Sequence, residues 1–150
     1  MISAALLYAI CGLLCGSANS KKQRLVHTQA TVEGRTVSFR SLVDTGNFLR
    51  DPLTGSPVVL ADDMIAGSLL NLRREQLEQP METMRNMMEK QPELQLRLIP
   101  FRTIGMKRGM LLAVRCEELW VDETKRENGI LAFSPNDVSE DGSYHGLTGG

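Results

Sequence analysis

The chain has 150 residues, enough for one ordinary domain with a core of its own, and its net charge of −1 comes from 17 basic and 18 acidic residues mixed along the sequence. No basic face marks a nucleic-acid partner, so direct nucleic-acid binding is not expected. The three cysteines, Cys11, Cys15 and Cys116, form neither a disulfide framework nor a spaced metal site, and His27 and His145 stand apart from any zinc-spaced cluster, so neither metal nor cofactor is expected.

Residues 1–20 carry no charged side chain and read as one transmembrane segment. A helix of that length spans about 30 Å, the thickness of the hydrocarbon core. Residues 21–24 follow as a basic juxtamembrane linker, and Lys21, Lys22 and Arg24 place the remainder on the cytoplasmic side of the cell membrane by the positive-inside rule. A cleavable signal peptide is the competing reading. The small residues Ser17-Ala18-Asn19 favour it, and the lack of a basic region ahead of the apolar stretch opposes it.

A domain is expected over 25–145. Its first strand runs from Leu25 to Val32, with Val26, Thr28, Ala30 and Val32 facing one way, and Glu33-Gly34 offers a tight turn. A second alternating run, through Val37, Phe39, Leu42 and Val43, ends at Asp44-Thr45-Gly46. A strand that ends in this tripeptide delivers a carboxylate as an aspartic-protease site requires. Such a site uses two carboxyl groups that share one proton, one ionised to activate water and one protonated to polarise the peptide carbonyl. The chain holds one such tripeptide, so the second aspartate is expected from another copy, with the site on a two-fold axis. On this reading Asp44 is catalytic, Thr45 turns its hydroxyl toward a bond across the axis, and Gly46 lets backbone approach the carboxylates. The competing reading is a turn between two strands with no chemistry.

A helical insertion is expected over 62–91. Met64, Ile65, Leu69, Leu70, Leu72 and Leu77 fall on a helix that Asp62 or Asp63 could cap, and Pro80 starts a second. There Met81, Met84 and Met88 share one face with Met87 beside them, which reads as core filling or as an adaptable partner surface. Strand character returns in Leu94 to Phe101 and Met110 to Arg115, joined through Ile104-Gly105-Met106-Lys107-Arg108-Gly109, and again in Gly129 to Phe133. Asp141-Gly142-Ser143 reads as a turn, both histidines as solvated or structural, and residues 146–150 as a flexible tail. No Gly-x-Ser-x-Gly elbow and no phosphate-binding loop occurs.

The stretch Leu42 to Asn47, with Asp51-Pro52-Leu53-Thr54, Pro57-Val58, Arg97 to Arg102, Ile104-Gly105, Leu111-Leu112-Ala113 and Asp141 to Tyr144, resembles the sporulation sigma-E factor processing peptidase family in composition and order. The resemblance implies a membrane-embedded aspartic protease whose soluble part is of the retroviral type and which removes the N-terminal pro-segment of a sigma factor precursor. It also implies control by a secreted activating protein acting across the membrane. The family carries several membrane spans ahead of its protease domain, of which residues 1–20 match at most the last.

By similarity in order to retroviral-type proteases, the hairpin tip with Ile104, Gly105 and Gly109 is the candidate flap over the substrate, against an ordinary surface turn. The strand Gly129 to Phe133 should pass beneath the catalytic turn, with Ala132 where such proteases usually have glycine. The combined expectation is a mainly β fold with a helical insertion, a retroviral-type aspartic protease half-barrel preceded by one N-terminal membrane helix, active as a homodimer. The alternative is a catalytically silent, membrane-tethered dimeric module that binds the sigma precursor without cutting it.

Overall fold

The computed structural model describes residues 24–44, 46, 49–101 and 109–149. The expected membrane segment 1–20, most of the basic linker, Thr45, Ile104 and Gly105 lie outside the described residues. Among the described residues no helix is long and apolar enough to cross a membrane.

The fold is mainly β. Strands β1 (Leu25–Val32) and β2 (Arg35–Val43) form an antiparallel hairpin in register from Leu25 opposite Leu42 to Val32 opposite Arg35. Glu33 and Gly34 both take positive φ, 51° and 78°, the turn whose twist matches that of the flanking strands. Val26, Thr28, Ala30 and Val32 are buried, as the alternation predicts. Strand β3 (Val58–Ala61) is buried along its whole length because it runs between two others. After three helices come β4 (Leu96–Phe101), β5 (Gly109–Arg115), β6 (Glu118–Val121), β7 (Thr124–Lys125), β8 (Ile130–Phe133) and β9 (Gly146–Thr148). The described strands form one sheet, in the order β4-β5-β8-β3-β9-β2-β1-β6-β7.

That sheet curls. Leu112 and Val114 of β5 share an apolar cluster with Leu119 and Val121 of β6, although five strands separate β5 from β6 in the sheet. Ile65, Ala66 and Leu69 of helix α1 (Asp63–Leu70) fill the concave side, each large side chain contributing about 1.5–3 kcal/mol by leaving water. Asp62 caps α1, its Oδ1 accepting the Ile65 N–H at 3.2 Å.

The sequence reading extended this helix through Leu77. It stops instead at Asn71, which adopts the left-handed conformation with φ 57° and closes the helix through its N–H to the Gly67 carbonyl. Leu77 therefore belongs to a separate turn of helix, α2 (Arg74–Leu77), and Met64 is exposed.

Helix α3 (Pro80–Lys90) begins at its proline, as expected. The methionine stripe does not form its inner face. Thr83 and Met87 are buried, with Met84 partly so, whereas Met81 and Met88 are 60% and 51% exposed. Spacing identified the stripe, but the direction of the sheet decides which side of the helix turns inward, and that lies about 100° away from the Met81–Met88 line.

The larger correction is at the C-terminus. Gly146 to Thr148, expected as part of a flexible tail, form β9 and are buried between β2 and β3. Strand β9 runs parallel to β2 and antiparallel to β3, so it satisfies backbone groups in the middle of the sheet.

Candidate active site

Asp44 follows directly on β2 and is buried, the residue as a whole being 3% exposed. Hydrogen bonds hold both its backbone and its side chain. Its N–H donates to the Thr148 carbonyl of β9 at 2.7 Å, and the Gly46 N–H donates to its Oδ1 at 2.9 Å. A backbone donor on the carboxylate offsets part of the cost of burying it. Gly46 thus stands against the Asp44 carboxyl group.

The close approach of β9 depends on Gly146. A Cβ there would meet Ser41 Oγ at 2.5 Å, the Phe39 ring at 2.7 Å and the Leu60 carbonyl at 3.0 Å. Ser41 is itself held by the Thr28 hydroxyl at 2.7 Å. Any side chain at 146 would therefore push β9, and the Thr148 carbonyl with it, away from Asp44.

A second apolar cluster joins this site to the β4–β5 hairpin. Ile99, Phe101 and Leu111 pack with Leu42 before Asp44 and with Leu49 after it. The hairpin pairs from Leu96 opposite Val114 to Phe101 opposite Gly109, so the candidate flap residues Ile104 and Gly105 fall in its connection, outside the described residues. Gly109 is described, and its φ is not among the positive ones. It is glycine for room, since a Cβ there would lie 2.4 Å from the Phe101 ring.

Strand β8 pairs with β3 and β5, and β3 and β9 stand between it and β2. Ala132 is fully buried in the same cluster as Leu42 and Leu147, so its methyl group is accommodated. Cys116 is a buried free thiol whose pKa burial pushes up to about 12, which makes it a poor nucleophile. Among the described residues no group of three His, Cys, Asp or Glu side chains could hold a metal ion.

A family model described as sporulation factor SpoIIGA, a peptidase family, matches residues 1–149. The chain belongs to this family. Two relatives, each named sporulation sigma-E factor-processing peptidase, align with it. The one from Bacillus subtilis (strain 168) is 29% identical over 146 residues, covering 86% of this chain and 44% of the relative. The one from Priestia megaterium (strain ATCC 12872 / QMB1551) is 30% identical over 100 residues, covering 61% of this chain and 31% of the relative. The chain thus spans less than half the length of either relative it matches. No solved structure matches.

Two polar pairs in this SpoIIGA-family chain escaped the reading of the sequence. In the first, Asp51 is fully buried in the loop after Asp44, its Oδ1 accepting the Leu53 N–H at 3.2 Å and its Oδ2 the Thr54 hydroxyl at 2.8 Å. The Arg97 guanidinium of β4 stands 3.5 Å from the same Oδ2 and ties this loop to the hairpin. Arg97 Nε and Nη1 find no hydrogen-bond acceptor among the described residues. The Asp-Pro-Leu-Thr-Gly pattern signals such a turn, since aspartate readily bonds backbone two residues ahead. Nothing in the sequence signals the arginine.

In the second pair, His145 Nδ1 lies 2.7 Å from Asp62 Oδ2. Burial raises the Asp62 carboxyl above the usual carboxylate range, and the bonds from His145 and from the Ile65 N–H pull it back down. His145 is therefore a structural histidine, tied by its ring to the cap of α1.

Proposed function

We propose that this chain is an aspartic endopeptidase of the retroviral type that removes the N-terminal pro-segment of a sporulation sigma factor. The observation that carries the reading is the buried Asp44 at the end of β2, held by Gly46 and β9, in a family whose named relatives process sigma-E factor. Two copies of the chain each contribute one Asp44. Two carboxylates close enough to hold one water between them cannot both ionise, so the pair shares one proton. The ionised carboxylate takes a proton from water as the water oxygen attacks the peptide carbonyl carbon, while the protonated one donates to the carbonyl oxygen. The tetrahedral diol then collapses: one hydroxyl gives its proton to the ionised carboxylate, the C–N bond breaks, and the amine leaves with the proton of the other carboxyl group, which restores the singly protonated dyad.

Residues 1–20 tether the domain to the cell membrane with the protease on the cytoplasmic side, where the sigma precursor is reached. Thr45 supports the dyad across the dimer axis, and the segment with Ile104, Gly105 and Gly109 covers substrate. A secreted protein on the far side of the membrane switches the activity on.

The test is co-expression of the chain with the sigma precursor, scored for a size shift. The wild-type chain should process it, and Asp44→Asn, which keeps volume and the Gly46 bond, should lower the rate by at least about 10²–10⁴-fold while melting at the same temperature. Unimpaired processing by Asp44→Asn would sink the aspartic mechanism. Capture of the precursor without cleavage by the wild type would favour the silent binding module.

A further inference from the structure

We propose that Asp62 and His145 are positioning residues for Asp44, acting through the register of β9. Strand β9 is three residues long and carries its duty at its far end, where the Thr148 carbonyl receives the Asp44 N–H at 2.7 Å. So short a strand has few ladder bonds of its own, and its placement depends on how it is anchored. At the Thr148 end the side-chain anchor is a long contact, Arg126 Nη2 to Thr148 Oγ1 at 3.4 Å.

At the other end three bonds converge on His145. Its N–H donates to the Arg40 carbonyl at 2.9 Å, its carbonyl receives the Asp62 N–H at 3.0 Å, and its ring Nδ1 meets Asp62 Oδ2 at 2.7 Å. Asp62 in turn is fixed by its bond from Ile65 N–H, so the ring contact ties the start of β9 to helix α1 and through it to the core. His145 and Thr148 stand about 10 Å apart along an extended chain. A slip at His145 is transmitted to Thr148 because the intervening Gly146 is wedged against Ser41, Phe39 and the Leu60 carbonyl and leaves β9 one seat.

Amide hydrogen exchange on the full chain tests this without reference to activity. His145→Ala removes the ring contact, and Asp62→Ser keeps a cap for Ile65 but is too short to reach His145. Each should speed exchange of the Asp44 N–H at least about tenfold, the effect of losing one charge-assisted bond. The Glu117 and Asp122 amides, bonded to Thr31 and His27 carbonyls on the far side of the sheet, should keep their rates. His145→Asn puts an amide nitrogen where Nδ1 stands and should restore slow exchange at Asp44.

Unchanged exchange at Asp44 in both disrupting variants overturns the proposal. So does an equal rise at Glu117 and Asp122, which would mean only a general loss of stability, or a failure of His145→Asn to rescue. The kinetic arm rests on the protease reading. There the disrupting variants should lower kcat about tenfold with KM unchanged, and a fall confined to KM counts against positioning. If the wild-type chain does not cleave at all, the protease reading has failed, and the exchange rates alone decide the role of the pair.

Discussion

The Arg24 carbonyl accepts the Val43 N–H at 2.9 Å, so the start of the described chain lies beside the residue that precedes Asp44. Arg24 also pairs with the exposed Asp122. If residues 1–20 are a membrane tether, the tether leaves the fold next to the site. Deleting 1–20 keeps Arg24 and its bond, so the domain should fold and melt unchanged. Processing should fall through lower effective concentration and recover as the soluble chain is concentrated. A truncated chain that is demonstrably dimeric yet inactive at every concentration would assign those residues a direct conformational role.

Gly109 makes a separable prediction. Since a Cβ there lies 2.4 Å from the Phe101 ring, Gly109→Ala should destabilise the fold by about 1–3 kcal/mol through overpacking. Adding Phe101→Leu should return much of that loss in thermal melts. A hinge role predicts otherwise, because shrinking a neighbouring ring does nothing for a stiffened backbone. Lost turnover that Phe101→Leu fails to restore, in protein of normal stability, would assign Gly109 a hinge role instead.

The Asp51–Arg97 pair should respond asymmetrically. Asp51→Ala leaves a largely buried guanidinium without its carboxylate and opens the turn that Leu53 and Thr54 close, so a loss of about 3–5 kcal/mol is expected. Arg97→Met removes the cation and two buried donors that lack a hydrogen-bond acceptor among the described residues, while the Asp51 carboxylate keeps both of its turn bonds, so its cost should be much smaller. Chemical denaturation of both variants checks the order, and equal losses would refute it.

Two carboxyl groups should pull the pH dependence of stability in opposite directions. Asp62 holds its proton more tightly in the folded chain than in the unfolded one, so its contribution is best at low pH and declines as pH rises from 3.8 through the raised folded value. Asp141 is held down to about 2 by the hydrogen bonds from Ser143 and Ser139, so its contribution is present above 3.8 and is lost as pH falls toward about 2. In melts across this range, Asp62→Asn should abolish the first slope and leave the second, and Asp141→Asn the reverse. Identical profiles for either variant and the wild type would contradict the corresponding assignment.

How far these features could be read from the sequence varied with how local their causes are. The β1–β2 hairpin was legible because alternation and Glu33-Gly34 specify it within twenty residues. The start of α3 was legible because Pro80 fits the first turn of a helix. Half of the Asp62 story was legible, its cap, since that bond spans three residues. The other half was not, because His145 is 83 positions away and no pattern links them. The methionines of α3 misled because helical spacing groups residues without saying which group faces the sheet. Strand β9 failed for a simpler reason: Gly146-Leu147-Thr148 is too short to show alternation and sits in a glycine-rich stretch that reads as fraying.

The central place of β9 also sets a time order on assembly. Strands β2 and β3 are made early, yet each waits for a neighbour more than eighty residues further along, and the Asp44 N–H waits for the Thr148 carbonyl. Contacts of such sequence separation form late and slowly. During synthesis the carboxylate is therefore present long before the frame that holds it, and a nascent chain cannot present a finished site until β9 has threaded into the sheet.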